Sequence, residues 1–427
     1  MLHAIAILLG TASSAWCAAT RSAPPPPRLG EHPADLADMT AVPVLQHLAA
    51  SMPEATPRTP AGLLADRSHR YLTAPDPHAL FTAEAKADSG EATDHAIKVL
   101  SYDVGLLDTR WMLGLRRIRM PEVGSRRSEL PTRLLRDDWD ILLLQEVWAW
   151  ADVVRFAEAA EREGYVWFAG SERRHNQHGL VILVKGSIID GAQRRTEGVF
   201  EDQGRKPLSQ GPRLGAGYLT WSFTHTASQR RVRIATTRLF DGHTATSWHT
   251  RSMQARQLGI DLATSDDDTV LIVGGDMGTG PYHPEGVLGP INGRDDQELW
   301  QESTTWAMLR HYGDLVDTAT YGHAAGDIEA MHALPEWNRG WTKRPLHGWC
   351  AQLPPDRFTS TDCNRLHFAH HRGELVPSRR DQLLVRMADD QGALGTPGLW
   401  YVEPEPVRGR THTLSHRYGV GLDIYLE

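Results

Sequence analysis

A chain of 427 residues with 41% hydrophobic side chains and 14 tryptophans can bury a large core, in one large or two medium domains. Its 45 basic residues against 53 acidic ones leave a net charge of −8, which excludes a general electrostatic pull toward nucleic acid or anionic membrane. Nucleic acid is therefore not favoured as a partner, and any polyanion would have to bind through a local cluster.

The N-terminus, MLHAIAILLGTASSAWCAAT, carries an apolar run over residues 4–10 and small residues up to Ala19. That pattern predicts a signal peptide over residues 1–19, cleaved near Cys17 or Ala19, with His3 as the only basic candidate in its leading segment. The run is too short to span a bilayer, so a secreted or periplasmic protein without a transmembrane segment is expected. Trp16 stands where a lipid-anchor signal needs a small residue before the cysteine. Residues 20–95 read as a Pro/Ala-rich linker and N-terminal extension, with four prolines from Pro24 to Pro27 and a short helix candidate over 42–48.

From residue 96 the pattern changes. Apolar stretches of strand length follow one another: IKVLSYDVG, WDILLLQEVW, GLVILVKG, RVRIATTRL, TVLIVGGDM, DQLLVRM and GVGLDIYL. Helical periodicity lies between several of them. ADVVRFAEAAEREG ends on Gly164 as a C-terminal stop, and SWHTRSMQARQLGIDLATS offers Ser247 as an N-cap. Buried strands with covering helices predict a layered α/β domain over residues 96–427.

Polar residues stand at the ends of these strands. They are Asp103, the pair Gln145 and Glu146, Arg238, Asp276, Asp381, and the pair His416 and Arg417. Any one alone is a solvated strand end or a turn residue. Six such loci together are what a shared pocket needs.

In order, spacing and flanks these segments resemble the endonuclease/exonuclease/phosphatase superfamily, which includes DNase I-like nucleases, sphingomyelinases and inositol phosphatases. QEVW and GLVILVKG are similar to the sphingomyelinase-like branch. The resemblance spans about residues 97–426 and implies a four-layer α/β/β/α sandwich with a pocket at one edge of the two sheets. It also implies Mg²⁺-assisted phosphoester hydrolysis, the cation held by carboxylate oxygens. Carried over by position, Glu146 and Asp103 are the metal ligands, Asp103 standing where the family has asparagine. Asp276 matches the water-directing aspartate, and Asp381 the aspartate of the R-x-D motif. The other positions are replaced: Arg238 for the histidine of T-H-L, Gly278 for the asparagine of G-D-x-N, and His416 and Arg417 for the last two letters of S-D-H.

Arginine never gives up its proton near neutral pH, so it cannot replace a histidine that shuttles one. General acid–base help is worth about 10²–10⁴ in rate, and these substitutions point to a catalytically impaired protein, a pseudoenzyme. Two consequences stay open. Arg238 and Arg417 form a phosphate-binding site for a small molecule or lipid headgroup, or they pair with the retained carboxylates and displace the metal. The alternative is an active Mg²⁺-dependent phosphodiesterase, nuclease-like or sphingomyelinase-like. Cys350 and Cys363 remain after signal removal and are read as a disulfide in preference to two free thiols. A Trp- and His-rich insertion is expected over residues 282–377, its histidines read as surface groups.

Overall fold

The fold was taken from a computed structural model, which describes residues 96–111, 116–170, 176–204, 214–241, 245–264, 268–280, 282–284, 300–318, 380–387, 392–394, 398–400, 415, 417 and 419–427. The signal, the linker, all three cysteines and His416 lie outside the described residues.

The chain runs β1 (Ala96–Asp103), β2 (Asp108–Trp111), β3 (Arg116–Arg119), α1 (Val123–Leu134), β4 (Ile141–Gln145), α2 (Trp150–Arg162), β5 (Tyr165–Ala169), β6 (Val181–Lys185) and β7 (Ile189–Val199). It continues with β8 (Gly217–His225), β9 (Arg231–Arg238), α3 (Ala245–Ala263), β10 (Thr269–Asp276), β11 (Tyr282–Pro284), β12 (Trp300–Glu302), α4 (Thr304–Gly313) and β13 (Val316–Asp317). It closes with β14 (Asp381–Arg386), β15 (Gly392–Leu394), β16 (Gly398–Trp400) and β17 (Gly419–Leu426).

Two mixed sheets form the middle of the molecule. One has the order β15-β17-β1-β4-β6-β5, with β16 also on β17; the other has the order β13-β14-β10-β9-β8-β7. Each is built around one parallel pair, β1 with β4 and β9 with β10, flanked by antiparallel partners. Both β4 and β10 are buried along their whole length, which is why they read as unbroken apolar runs rather than as alternation.

Two cores follow from the pleat. Val99, Ile141, Leu143 and Ile182 meet Trp221, Ile234, Ile272 and Leu383 between the sheets. On the other side of the first sheet, Leu100, Leu142 and Leu144 pack with Val123 and Leu130 of α1 and Phe156 and Ala160 of α2. With α3 and α4 packed as a pair, where Gly259 lies against Tyr312 and Gly313, the result is an α/β protein with two mixed sheets flanked by helices.

Local signals explain several boundaries. α2 stops where Gly164 takes φ +78. Ser303 caps α4 by accepting the Trp306 N–H at 3.2 Å. α3 starts two residues earlier than expected, so Ser247 sits buried inside its first turn and is not the cap. Residues 303–318, expected within the insertion, supply α4 and β13 to the fold. Among the described residues no helix is long and apolar enough to cross a membrane.

Candidate functional site

The two parallel pairs aim their C-terminal ends at the same edge, and the antiparallel partners β14 and β17 begin there. Register therefore places Asp103 opposite Gln145 in one sheet, and Asp276 opposite both Arg238 and Asp381 in the other. The sheets approach closely at this end because the facing residues are small. A Cβ on Gly274 would lie 2.7 Å from Leu143 Cδ1 and 2.8 Å from Ser101 Cβ. Gln145 bridges them, its buried side-chain amide donating to the Leu143 carbonyl at 2.7 Å and to Thr236 Oγ1 of β9 at 3.0 Å.

Glu146 follows with φ 60, a left-handed backbone rare for a side chain of this size. Its carbonyl accepts the Leu106 N–H at 3.1 Å, and the next amide, Val147, donates to the Gly179 carbonyl at 2.9 Å. The Glu146 carboxylate pairs through Oε1 with Arg238 Nη2 at 3.1 Å. The Arg238 guanidinium also lies 5.6 Å from the Trp148 ring. Burial alone would lower the Arg238 pKa, but Glu146 and then Asp276 outweigh it and hold the group charged above its ordinary value.

Asp103 is fully buried. Its Oδ1 accepts the Gly105 N–H at 2.9 Å, and Oδ2 has no hydrogen-bond partner. Burial, reinforced by the Glu146 carboxylate, raises its pKa well above the usual aspartate range against the pull of Arg417. The loop that follows is clamped by Arg126 of α1, which is fully buried and donates to the carbonyls of Val104 at 3.3 Å, Pro121 at 3.2 Å and Gly105. Burial pulls this guanidinium down to about 10.

Asp276 has cations on two sides. Arg380 donates to it through Nε and Nη2 at 3.3 and 3.2 Å, and Arg417 Nη2 stands 3.8 Å away. Burial would raise this carboxyl, yet Arg380, Arg417 and Arg238 together carry it below the ordinary range. Arg380 also pairs with Asp241 at 2.9 Å, and Arg417 with Asp381 at 3.7 Å. Ser415 fixes the last segment by donating to the Asp103 carbonyl at 2.5 Å, while its hydroxyl accepts the Arg417 N–H at 3.1 Å. Gly278 takes φ +68, donates its N–H to Asp276 Oδ1 at 2.8 Å, and lies against the buried Arg251.

The structure thus brings together Asp103, Glu146, Arg238, Asp276, Gly278, Asp381 and Arg417. Four further members, Arg126, Arg251, Arg380 and Asp241, were not expected. Arg380 had a signal, since it stands beside Asp381 in SRRD. Arg251, inside a helical stretch of mixed polarity, had none.

The sequence profile of the family described as "Endonuclease/Exonuclease/phosphatase family" matches residues 118–386. Among solved structures, D. rerio TDP2 in complex with single-strand DNA product is similar at TM-score 0.50 and 15% identity, covering 78% of this chain and 99% of that one. SmcL gives TM-score 0.47 at 12% identity over 77% and 99%. The human Nocturnin catalytic domain with bound sulfate gives 0.43 at 14% over 78% and 94%. No curated protein sequence is significantly similar to the chain.

Proposed function

Because the chain belongs to the endonuclease/exonuclease/phosphatase family, we propose that it is a phosphoesterase-fold protein that binds a phosphate-bearing ligand and does not hydrolyse it. The observation that carries this reading is the contact of Arg238 with Glu146 at 3.1 Å, which joins the replaced histidine position to the retained glutamate.

Members of the family typically use Mg²⁺. A hard divalent cation needs open carboxylate oxygens. Here Glu146 Oε1 faces Arg238, and both oxygens of Asp276 face Arg380. Among the described residues no group of three His, Cys, Asp or Glu side chains is placed to hold a metal ion. The residues present do not fit a bound Mg²⁺.

Proton transfer fares no better. An arginine side chain does not shuttle protons at working pH. Asp276, with its pKa depressed by three guanidiniums, is a poor acceptor of a proton from water. Binding asks less of the same groups, because a guanidinium fork matches phosphate oxygens and needs no turnover. Arg238, with 17% of its side chain exposed, is the most accessible of the three guanidiniums around Asp276. The apolar run at residues 4–10 supports export as the setting.

Purified protein incubated with bis(4-nitrophenyl) phosphate, DNA and sphingomyelin, with and without Mg²⁺, is expected to release no product above the Glu146→Ala background. Metal-dependent hydrolysis that vanishes in Glu146→Ala or Asp276→Ala overturns the non-catalytic part. Calorimetry with inorganic phosphate tests the binding part. Arg238→Ala should weaken binding by roughly tenfold or more, the effect of one charged hydrogen bond. No binding, or binding indifferent to that substitution, overturns it.

A further inference from the structure

We infer that the free edge of β5 is a docking groove for an extended acidic peptide, which pairs with it as an added strand and places a carboxylate on Arg195. None of the residues that line this groove is among those gathered around Asp276, and the inference does not rest on phosphate binding.

β5 is the last strand of its sheet. Its pairing with β6 is antiparallel, and the Gly186 N–H donates to the Gly164 carbonyl at 2.9 Å, which fixes the alternation along the strand. Val166 and Phe168 therefore bond toward β6, while Tyr165, Trp167 and Ala169 turn their N–H and C=O groups outward. The Trp167 carbonyl accordingly accepts Arg195 Nη1, from the other sheet, at 3.4 Å.

Edges of this kind are normally guarded by charge. β7, at the edge of the other sheet, carries Arg194 and Arg195, whereas β5 reads YVWFA, with no charge and no proline. Beside it runs a cleft of about 600 Å³ lined by every residue from Tyr165 to Gly170. Consecutive residues along one side make a groove with the length of a strand, not a chamber for a compact molecule. Trp150 and Glu161 of α2 and Arg195 of β7 complete it. An extended chain fits such an edge, with main-chain hydrogen bonds for affinity and side-chain contacts for choice. The strand has five residues, about 17 Å in length. That is room for one short peptide, and little toward the roughly 1,200–2,000 Å² that a stable dimer buries.

Charge selects the peptide. The Arg195 guanidinium stacks on the Trp221 ring at 4.0 Å and donates to Gln193 Oε1 at 2.9 Å as well as to Trp167. These partners are all neutral. Among the described residues no carboxylate pairs with Arg195, and burial lowers its pKa with no acidic group to offset the effect. Glu161, on the other wall, already accepts the Trp167 indole N–H at 2.8 Å. The unmatched charge of the groove is positive, and an acidic side chain on the incoming strand complements it.

The probes are blocked seven-residue peptides of alternating valine and threonine, with one aspartate placed at each position in turn, and the same set with asparagine. Binding to the full chain is read by anisotropy of a fluorescent label on the peptide, and its place by amide hydrogen exchange. At least one aspartate peptide is expected to slow exchange at Tyr165, Trp167 and Ala169, and to bind roughly tenfold more tightly than its asparagine counterpart. Arg195→Gln should remove that preference, and Arg195→Glu should transfer it to the corresponding lysine peptide. Ala169→Pro takes away one outward N–H and leaves the bonds to β6 alone, so it should weaken every peptide. If the proline variant does not fold, the Arg195 variants, changed at an exposed position, decide the matter. No peptide that slows the three amides, or equal binding by aspartate and asparagine peptides, overturns the inference. Exchange at those amides that is already slow in the chain alone overturns it too. Slow exchange at every concentration would mean that another segment covers the edge, and slow exchange only at high concentration that a second copy does.

Discussion

At the scale of single residues the pocket shows how much depends on which charge faces which. Arg380 is 5% exposed and Asp276 1%, with two hydrogen bonds between them. Removing one partner of a buried pair leaves the other uncompensated, at a cost of about 3–5 kcal/mol. Arg380→Ala should therefore lose up to that much in urea denaturation followed by circular dichroism, since Arg417 still faces Asp276 at 3.8 Å, and Arg380→Lys less because the charge is kept although the fork is lost. A loss below about 1 kcal/mol would show that the pair is not formed in solution. Six strand-end residues singled out by the flanking motifs, Asp103, Glu146, Arg238, Asp276, Asp381 and Arg417, come together in the structure. Which carboxylate each arginine takes was not legible, because pairing across two sheets is fixed by distances that spacing along the chain does not encode.

A second residue-level consequence concerns pH. His178, just before β6, is 1% exposed and faces Glu197 of β7 at 3.1 Å. Burial lowers its pKa by more than the Glu197 carboxylate raises it, so the ring is held neutral in the fold. An unfolded chain takes up that proton near pH 6.5. Folding stability is then fully present above that value and falls as pH drops below it, by at most about 1.4 kcal/mol per pH unit for one proton. Denaturation midpoints between pH 7 and pH 5 should show this slope reduced in His178→Gln. Stability that rises on acidification would mean the ion pair with Glu197 dominates.

At the scale of elements, legibility followed burial. The strands that read as apolar runs, among them β4, β6 and β10, lie where expected because both their faces are covered. β7 did not read as a strand because it is an edge with most of its residues exposed, and its Arg194 and Arg195 are charges of the kind that guard such edges. α1 was missed for a different reason. It carries Pro131 inside the helix, has no acidic residue in its first turn, and buries Arg126 on its inner side, where periodicity expects an apolar residue. The closest approach of the sheets, at Gly274, gives the element-level prediction. A methyl group there would overlap Leu143 and Ser101, so Gly274→Ala should cost about 1–3 kcal/mol by overpacking. Gly274→Ala combined with Leu143→Ala should recover part of it if the overlap is the cause. Full additivity of the two losses would place the strain elsewhere.

For the whole molecule the strand order makes the last element as central as the first. β17 lies between β1 and the short strands β15 and β16, with Ala96 opposite Tyr425 and Ser101 opposite Val420. It therefore holds one side of the parallel pair that presents Asp103, and it follows directly from the segment in which Ser415 and Arg417 enter the pocket. A chain ending at Tyr418 would expose the buried edge of β1 and leave β15 and β16 without the strand they pair with. It should lose cooperative thermal unfolding by circular dichroism, although it keeps every pocket residue named above. The opposite end gives the contrast. β1 begins at Ala96, and both its partners, β4 and β17, lie later in the chain. A fragment of residues 91–427 should then melt cooperatively within a few degrees of the full chain, a shift of less than about 1 kcal/mol. A fragment that fails to fold would move the domain boundary into the Pro/Ala-rich extension, and a truncation at Tyr418 that still melts cooperatively would mean the sheet closes without β17.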